Sequence, residues 1–195
     1  MNLADEWLTD TSFPEQVRRE EAQTIINALT GCIRTPYPLA QKRQVLEADE
    51  APEGYEGDFT RDQEALREEQ LVRRTVFTEF SRRLAAVAES TKKDNEESQH
   101  AVPPISPMWA DLRFDFSGAP IFYPLRQLHF QNADFASAAF YGPADFFGAT
   151  FHGDTSFSAV QFTANASFNS ANFNDWVGFS AAHFAGAAEF SGARF

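Results

Sequence analysis

The last third of the chain repeats one pattern of hydrophobic and polar positions. From His129 to Phe195, phenylalanine returns at every fifth or sixth residue, and from Phe140 onward the two steps alternate strictly. A small residue, most often alanine, stands two places before almost every phenylalanine, and most positions between are polar. A fixed period of this kind indicates a repeat architecture.

The spacing excludes the simpler regular structures. On an α-helix, Phe151 and Phe157 would lie on different faces, and the Gly, Asn, Asp, Ser and Thr residues between the phenylalanines are poor helix formers. A plain strand or barrel requires period-two alternation, which the five-residue steps break. The pattern therefore predicts a solenoid that turns a corner about every five residues. Four sides would close a coil of about twenty to twenty-two residues, and successive coils would stack about 4.8 Å apart.

The repeat also predicts which side chains form the core. Residues at i and i+2 of an extended segment share a face, so each phenylalanine and the small residue before it should point inward. The predicted core comprises Phe135, Phe140, Phe146, Phe151, Phe157, Phe162, Phe168, Phe173, Phe179, Phe184, Phe190 and Phe195.

These repeats resemble those of pentapeptide-repeat proteins, whose unit is written A-(D/N)-(L/F)-x-x. Matching triplets include ADF at 133–135 and 144–146, ASF at 166–168 and ANF at 171–173. The chain departs from that unit in having Phe at every centre and a sixth residue in every second unit. The resemblance implies a right-handed quadrilateral parallel β-helix in which the extra residue widens alternate corners. Residues 32–37 and 109–119 also resemble a bacterial subgroup of this family, of unassigned activity, whose members often carry membrane segments further upstream.

The first ninety residues predict a helical region. Apolar residues recur at helical spacing over about 14–34 and 61–90, and Pro14 and Glu15 suit the first turn of the earlier segment. We expect these two helices to pack as an αα-hairpin, with Trp7 and Leu8 completing a small core and Cys32 filling it. Together with the repeats, the helices make the fold class α+β.

Two segments join this region to the repeats. Residues 91–107 are charged and then proline-rich, which predicts a linker. In 108–128, Leu112, Phe114 and Phe116 alternate with charged residues and predict a strand. A solenoid must cover its terminal core, so this segment, alone or with the helices, is the predicted N-terminal cap of a β-helix that fills 129–195.

Charge and cysteine content indicate which partners and which cellular compartment suit this chain. The net charge of −12 and pI of about 4.7 argue against direct binding to nucleic acid or to an anionic membrane. A single cysteine and the absence of a signal peptide predict a cytoplasmic protein. No apolar run is long enough to span a membrane.

The sequence predicts binding rather than catalysis. It contains no glycine-rich phosphate loop, nucleophile elbow or zinc-ligand spacing, and units of five or six residues leave no loops to form a cleft. We expect no cofactor, and a noncatalytic scaffold or protein–protein interaction module with an unidentified protein partner. The predicted contact surface is formed by outward residues next to inward phenylalanines, all placed on one side of the β-helix: His152, Gln161, Asn172, His183 and Arg194.

Two other expectations concern partners. Some pentapeptide-repeat proteins imitate duplex DNA and bind DNA gyrase, so the resemblance makes a DNA-mimic modulator of gyrase or of another DNA-binding protein the alternative function. Duplex DNA carries about one charge per 1.7 Å, whereas the repeats supply only Asp134, Asp145, Asp154, Asp175 and Glu189. The repeats also stop in mid-unit at Phe195, which predicts either a longer parent chain or a homodimer or end-to-end assembly through the last coil.

Overall fold

The computed structural model describes residues 2–93, 109, 111–125 and 128–195, and within them a helical region precedes a parallel β-helix. The α+β fold class is confirmed. The helices are α1 (Asn2–Thr9), α2 (Glu15–Arg34), a 3-10 helix (Pro38–Lys42), α3 (Arg43–Leu46) and α4 (Phe59–Lys93). No helix among these described residues combines the length and apolar character needed to cross a bilayer.

The β-helix is built from fourteen strands of two residues each in the described part of the chain. They are β1 (Phe114–Asp115), β2 (Pro120–Ile121), β3 (His129–Phe130), β4 (Ala133–Asp134), β5 (Ala139–Phe140), β6 (Ala144–Asp145), β7 (Thr150–Phe151), β8 (Thr155–Ser156), β9 (Gln161–Phe162), β10 (Ala166–Ser167), β11 (Asn172–Phe173), β12 (Val177–Gly178), β13 (His183–Phe184) and β14 (Ala188–Glu189).

Parallel pairing arranges these strands into four sides, as the sequence predicts. Side 1 contains β1, β4, β8 and β12; side 2 contains β2, β5, β9 and β13; side 3 contains β6, β10 and β14; and side 4 contains β3, β7 and β11. On side 1, Ala133 pairs with Thr155 and Thr155 with Val177, so each of these coils takes 22 residues.

The corners of the β-helix alternate between two forms. At each five-residue step from Phe135 onward the chain makes a tight turn: the N–H of Ala138, for example, donates to the carbonyl of Phe135 at 3.0 Å, and Ser137 between them has a φ of +58°. Within residues 128–195 the six-residue steps contain no such bond. The sixth residue therefore opens alternate corners, and the widened corners hold three residues, such as 152–154 and 174–176.

The core consists of phenylalanine rings stacked from one coil to the next. Phe146, Phe168 and Phe190 form one such ladder, with ring centroids 4.8 and 5.0 Å apart and planes within 7° of parallel. Rings from neighbouring sides meet edge to face, as Phe157 and Phe168 do at 5.5 Å and 79°. The quadrupole of an aromatic ring favours both geometries. The repeat therefore places the core rings in favourable contact both along the β-helix and between its sides.

Burial of the predicted core changes along the β-helix. The predicted core phenylalanines from Phe135 to Phe173 are buried, and Phe179 and Phe184 are half-buried. Phe190 and Phe195, which the sequence places in the core, are 36% and 76% exposed. They lie in the last described coil, where no further coil covers them.

The segment predicted as a cap is itself the first coil. Its strands β1 and β2 pair with β4 and β5, and Leu112, Phe114 and Phe116 point into the core. The cover is instead supplied by α4. The Phe77 ring stacks on Phe116 with centroids 4.5 Å apart, and the Phe80 ring meets Phe114 edge-on at 5.1 Å.

The helical region is more elaborate than a hairpin. It has four helices, and α2 packs mainly against α1 and β1, while α4 packs against β3. The buried positions of α2 are Ala22, Ile26, Thr30 and Ile33. Cys32, predicted to fill the core, is exposed because it precedes Ile33 by one residue and so points about 100° away. The predicted linker at 91–107 lies outside the described residues, except for 91–93, which extend α4.

One buried arginine joins α4 to the end of α2. Arg73 donates to the carbonyls of Ile33 at 2.7 Å and Thr35 at 3.0 Å, and it pairs with Glu69 at 2.7 Å. The carbonyls in the last turn of a helix have no partner within it, so Arg73 satisfies groups that would otherwise be buried without hydrogen bonds.

Replacing Phe168 with alanine should lower the free energy of unfolding by about 3–5 kcal/mol, because it removes a buried ring stacked on both faces. Urea unfolding followed by circular dichroism measures this change. Phe147→Ala is the control, since that ring is 46% exposed and lies outside both the core and the last coil, so its loss should cost about 1 kcal/mol or less. Equal effects of the two substitutions would contradict the assigned core.

Replacing Arg73 with methionine should destabilise the protein by about 3 kcal/mol, because the carbonyls of Ile33 and Thr35 lose their buried donors. Arg74→Met is the matched control, since Arg74 is exposed and next in sequence. Urea unfolding gives the loss of stability, and amide hydrogen exchange in α2 shows where it occurs. Unchanged protection of α2 in the Arg73 variant would refute this role.

Candidate interaction surfaces

The five predicted contact residues lie on two opposite sides of the β-helix. Gln161 and His183 pair on side 2, and Asn172 bridges to Arg194 on side 4, where His152 directly follows β7. The prediction of one shared side is therefore wrong. Residues eleven apart, such as Gln161 and Asn172, are half a coil apart and fall on opposite sides, while residues twenty-two apart stack on the same side.

Side 4 carries a pair of stacked histidines beside α4. The rings of His129 and His152 are 5.4 Å apart and 12° from parallel, with Nδ1 of His129 at 3.1 Å from Nε2 of His152. The amide of Asn174 lies 3.4 Å from Nδ1 of His152, and the backbone N–H of His129 donates to the Ser81 hydroxyl at 2.7 Å. This side therefore combines polar groups with a direct tie to the helical region.

Side 1 presents two columns of outward residues. In each strand, the first column takes the residue before the inward position and the second takes the residue after it. The first column is Arg113, Asn132, Asp154 and Trp176, and the second is Asp115, Asp134, Ser156 and Gly178. All of these residues except Asp115 and Gly178 line a shallow groove, together with Arg19 and Asp111, and its volume is about 490 Å³. Side 1 thus has the largest variety of exposed chemistry along one line.

Ion pairs to α2 close the N-terminal end of this groove. Arg19 pairs with Asp111 at 3.0 Å, and Arg34 pairs with Asp115 at 2.5 Å. Burial acts to raise the pKa of the Asp115 carboxyl, but hydrogen bonds from Ser117 and the nearby charge of Arg34 hold that pKa below its ordinary value. Asp115 is therefore ionised at neutral pH and committed to holding α2 in place.

The opposite end of the groove carries an exposed aromatic ring. Trp176 is 58% exposed, and its ring lies against the backbone of Gly178, where an added Cβ would come within 2.2 Å of the ring atom Cη2. Only glycine leaves room for the ring in this position. The six-membered ring of the indole therefore lies against the strand, while more than half of the residue remains exposed to solvent.

Metal binding has no support in the described part of the chain. Among those residues, no group of three or more His, Cys, Asp or Glu side chains lies close enough to hold an ion.

Comparison with protein families agrees with this geometry. Residues 135–183 match the family model for pentapeptide repeats, described as nine copies. Residues 135–183 are pentapeptide repeats. Searches of curated proteins and of solved structures give no significant match.

The exposed ring of Trp176 was not predicted as a contact residue, although the sequence contained a signal for it. Half of the twelve units between 133 and 195 read Ala, a small polar or acidic residue, and Phe, whereas the unit at 177–179 reads Val-Gly-Phe and follows a tryptophan. The repeat needs neither the exposed ring nor the glycine beneath it. A departure of this kind, at a position that the core does not constrain, is the feature that would have identified side 1.

Proposed function

We propose that this protein is a noncatalytic scaffold that holds partner proteins on the outward sides of its pentapeptide-repeat β-helix. The observation that carries this proposal is the uniformity of the corners, which are tight turns or three-residue bends throughout 133–195. Such corners form no cleft that could enclose a substrate, whereas the strands hold outward side chains in fixed columns. We expect no cofactor, and a cytoplasmic location stays a prediction.

The predicted contact residues support two binding sides. Gln161 and His183 stand on adjacent rungs of side 2, and Asn172 and Arg194 on adjacent rungs of side 4. Strand pairing fixes their backbone spacing at about 4.8 Å, so a partner would meet a preformed surface and would not have to order a loop.

The DNA-mimic alternative has less support. Asp134 and Asp154 line side 1, while Asp145 and Glu189 lie on side 3. A duplex of the same length would present on the order of ten charges in continuous rows. The acidic residues of the repeats are too few and too dispersed to reproduce them.

The scaffold proposal can be tested by affinity capture from a lysate of the source cells, with His183→Glu and Arg194→Glu as disruptive variants of sides 2 and 4. We expect at least one variant to lose, severalfold, proteins that the wild-type chain retains, as quantified by mass spectrometry. Glu189→Lys on side 3 is the matched control and should retain them. Equal retention by both variants and by their combination would contradict the two binding sides.

A second proposal concerns assembly and rests on the exposed rings of the last described coil. Phe190 and Phe195 present an apolar layer beside the outer strands β12, β13 and β14, each of which has an unpaired edge within the described residues. Apolar rings next to open strand edges favour association. We propose that two copies of this chain stack through this coil.

Light scattering tests the assembly. The chain should be a dimer, and Phe190→Lys should make it a monomer because burying the charge at the interface is unfavourable. Phe147→Lys is the control, since Phe147 is 46% exposed on an earlier coil, and this variant should remain a dimer. A monomeric wild-type chain would refute the proposal.

A further inference from the structure

The ring of Trp176 is a prepared binding platform. Its six-membered ring lies against Gly178, and 58% of the residue remains exposed. A large exposed ring on a rigid strand exposes apolar surface to water without contributing to the core, and tryptophan is among the residues that dominate binding energy at interfaces. The exposed ring adds little to the stability of the fold, which points to a role in binding a ligand.

The charges around the ring select the class of that ligand. Asp154 is one rung away in the same column, is exposed, and has no hydrogen-bond or ion-pair partner among the described residues. Asp175, which precedes Trp176 in the chain, adds a second carboxylate, and one of its oxygens accepts the backbone N–H of Trp176 at 2.9 Å. The face of an indole attracts cations, and two neighbouring carboxylates strengthen that preference.

The far end of the groove carries the opposite charge. Arg113 is three rungs from Trp176, about 14 Å at the spacing of parallel strands, and its guanidinium has no partner among the described residues. Arg19, the other basic residue of the groove, is already paired with Asp111. The groove therefore offers an acidic aromatic end and a single available positive charge at the other end.

We propose that side 1 binds an extended segment of a partner protein, with an arginine or lysine side chain lying on the Trp176 ring beside Asp154. This proposal rests on the interaction role proposed above but uses a different surface. An extended chain advances about 3.3 Å per residue, so an acidic residue four positions from the basic one would reach Arg113. Residues four apart on a strand also share a face.

A direct titration tests the proposal. The probe is the peptide acetyl-Arg-Gly-Ser-Gly-Asp-amide, and the readout is the ¹H–¹⁵N spectrum of the full chain, in which the indole signal of Trp176 is assigned from Trp176→Phe. We expect a saturable shift of that signal and of the side 1 amides. The same peptide with neutral citrulline in place of arginine should bind about five- to tenfold more weakly, and added salt should weaken the arginine peptide.

Four variants separate the contributions. Trp176→Ala should abolish the side 1 shifts, and Asp154→Asn should weaken binding about fivefold. Gly178→Ala should displace the ring from the strand and weaken binding while leaving the thermal unfolding midpoint near that of the wild type, which identifies Gly178 as a positioning residue. Phe147→Ala, which removes an exposed ring elsewhere, should bind the peptide as the wild type does.

Three results would overturn the inference. They are equal binding of the arginine and citrulline peptides, no shift of Trp176 with the arginine peptide, and a larger shift with a neutral oligosaccharide such as cellotriose, which would identify a sugar site. None of these results bears on sides 2 and 4, because partner retention there is measured with His183 and Arg194 variants. Failure of this inference is therefore distinguishable from failure of the scaffold proposal.

Discussion

Coil-to-coil stacking of phenylalanine rings is the interaction on which the rest of this structure depends. A ring such as Phe168 contacts one ring above and one below. Each layer of rings is therefore shielded from water only when another layer lies on both sides of it. Strands of two residues cannot bury a core by themselves, and the parallel pairing that joins them holds only while the rings keep a 22-residue register. Stability is therefore a property of neighbouring coils rather than of any one coil.

The same requirement explains the helical region. The first ring layer has no coil before it, and α4 replaces that coil by placing Phe77 on Phe116 and Phe80 on Phe114. Polar contacts then hold the helices in place, with Arg34 on Asp115 and the buried Arg73 on the end of α2. The helical region and the β-helix thus share one continuous core, and the helices cannot be considered an independent domain.

The sequence predicted the repetitive part of the fold well because the period acts at every unit. Four sides, inward phenylalanines and widened alternate corners all follow from side-chain alternation and the five- and six-residue steps. Prediction was weaker where one contact decides the outcome. Whether α2 packs on α4 or on α1 depends on tertiary fit, and the exposure of Cys32 depends on which stripe of α2 is buried. The placement of Gln161 and Asn172 on opposite sides follows from the half-coil step of eleven residues, but only once the chain is arranged as a closed four-sided coil.

Outward positions of the β-helix are under little constraint from folding, so chemistry there carries more information than chemistry in the core. Most outward residues are small or polar and would suit any exposed strand. Trp176 is different, because it needs Gly178 in a strand where glycine weakens packing. Two departures from the repeat that depend on each other are better evidence for function than either alone, since folding requires neither. Because acidic residues lie near the ring, side 1 is the surface that best accounts for partner recognition.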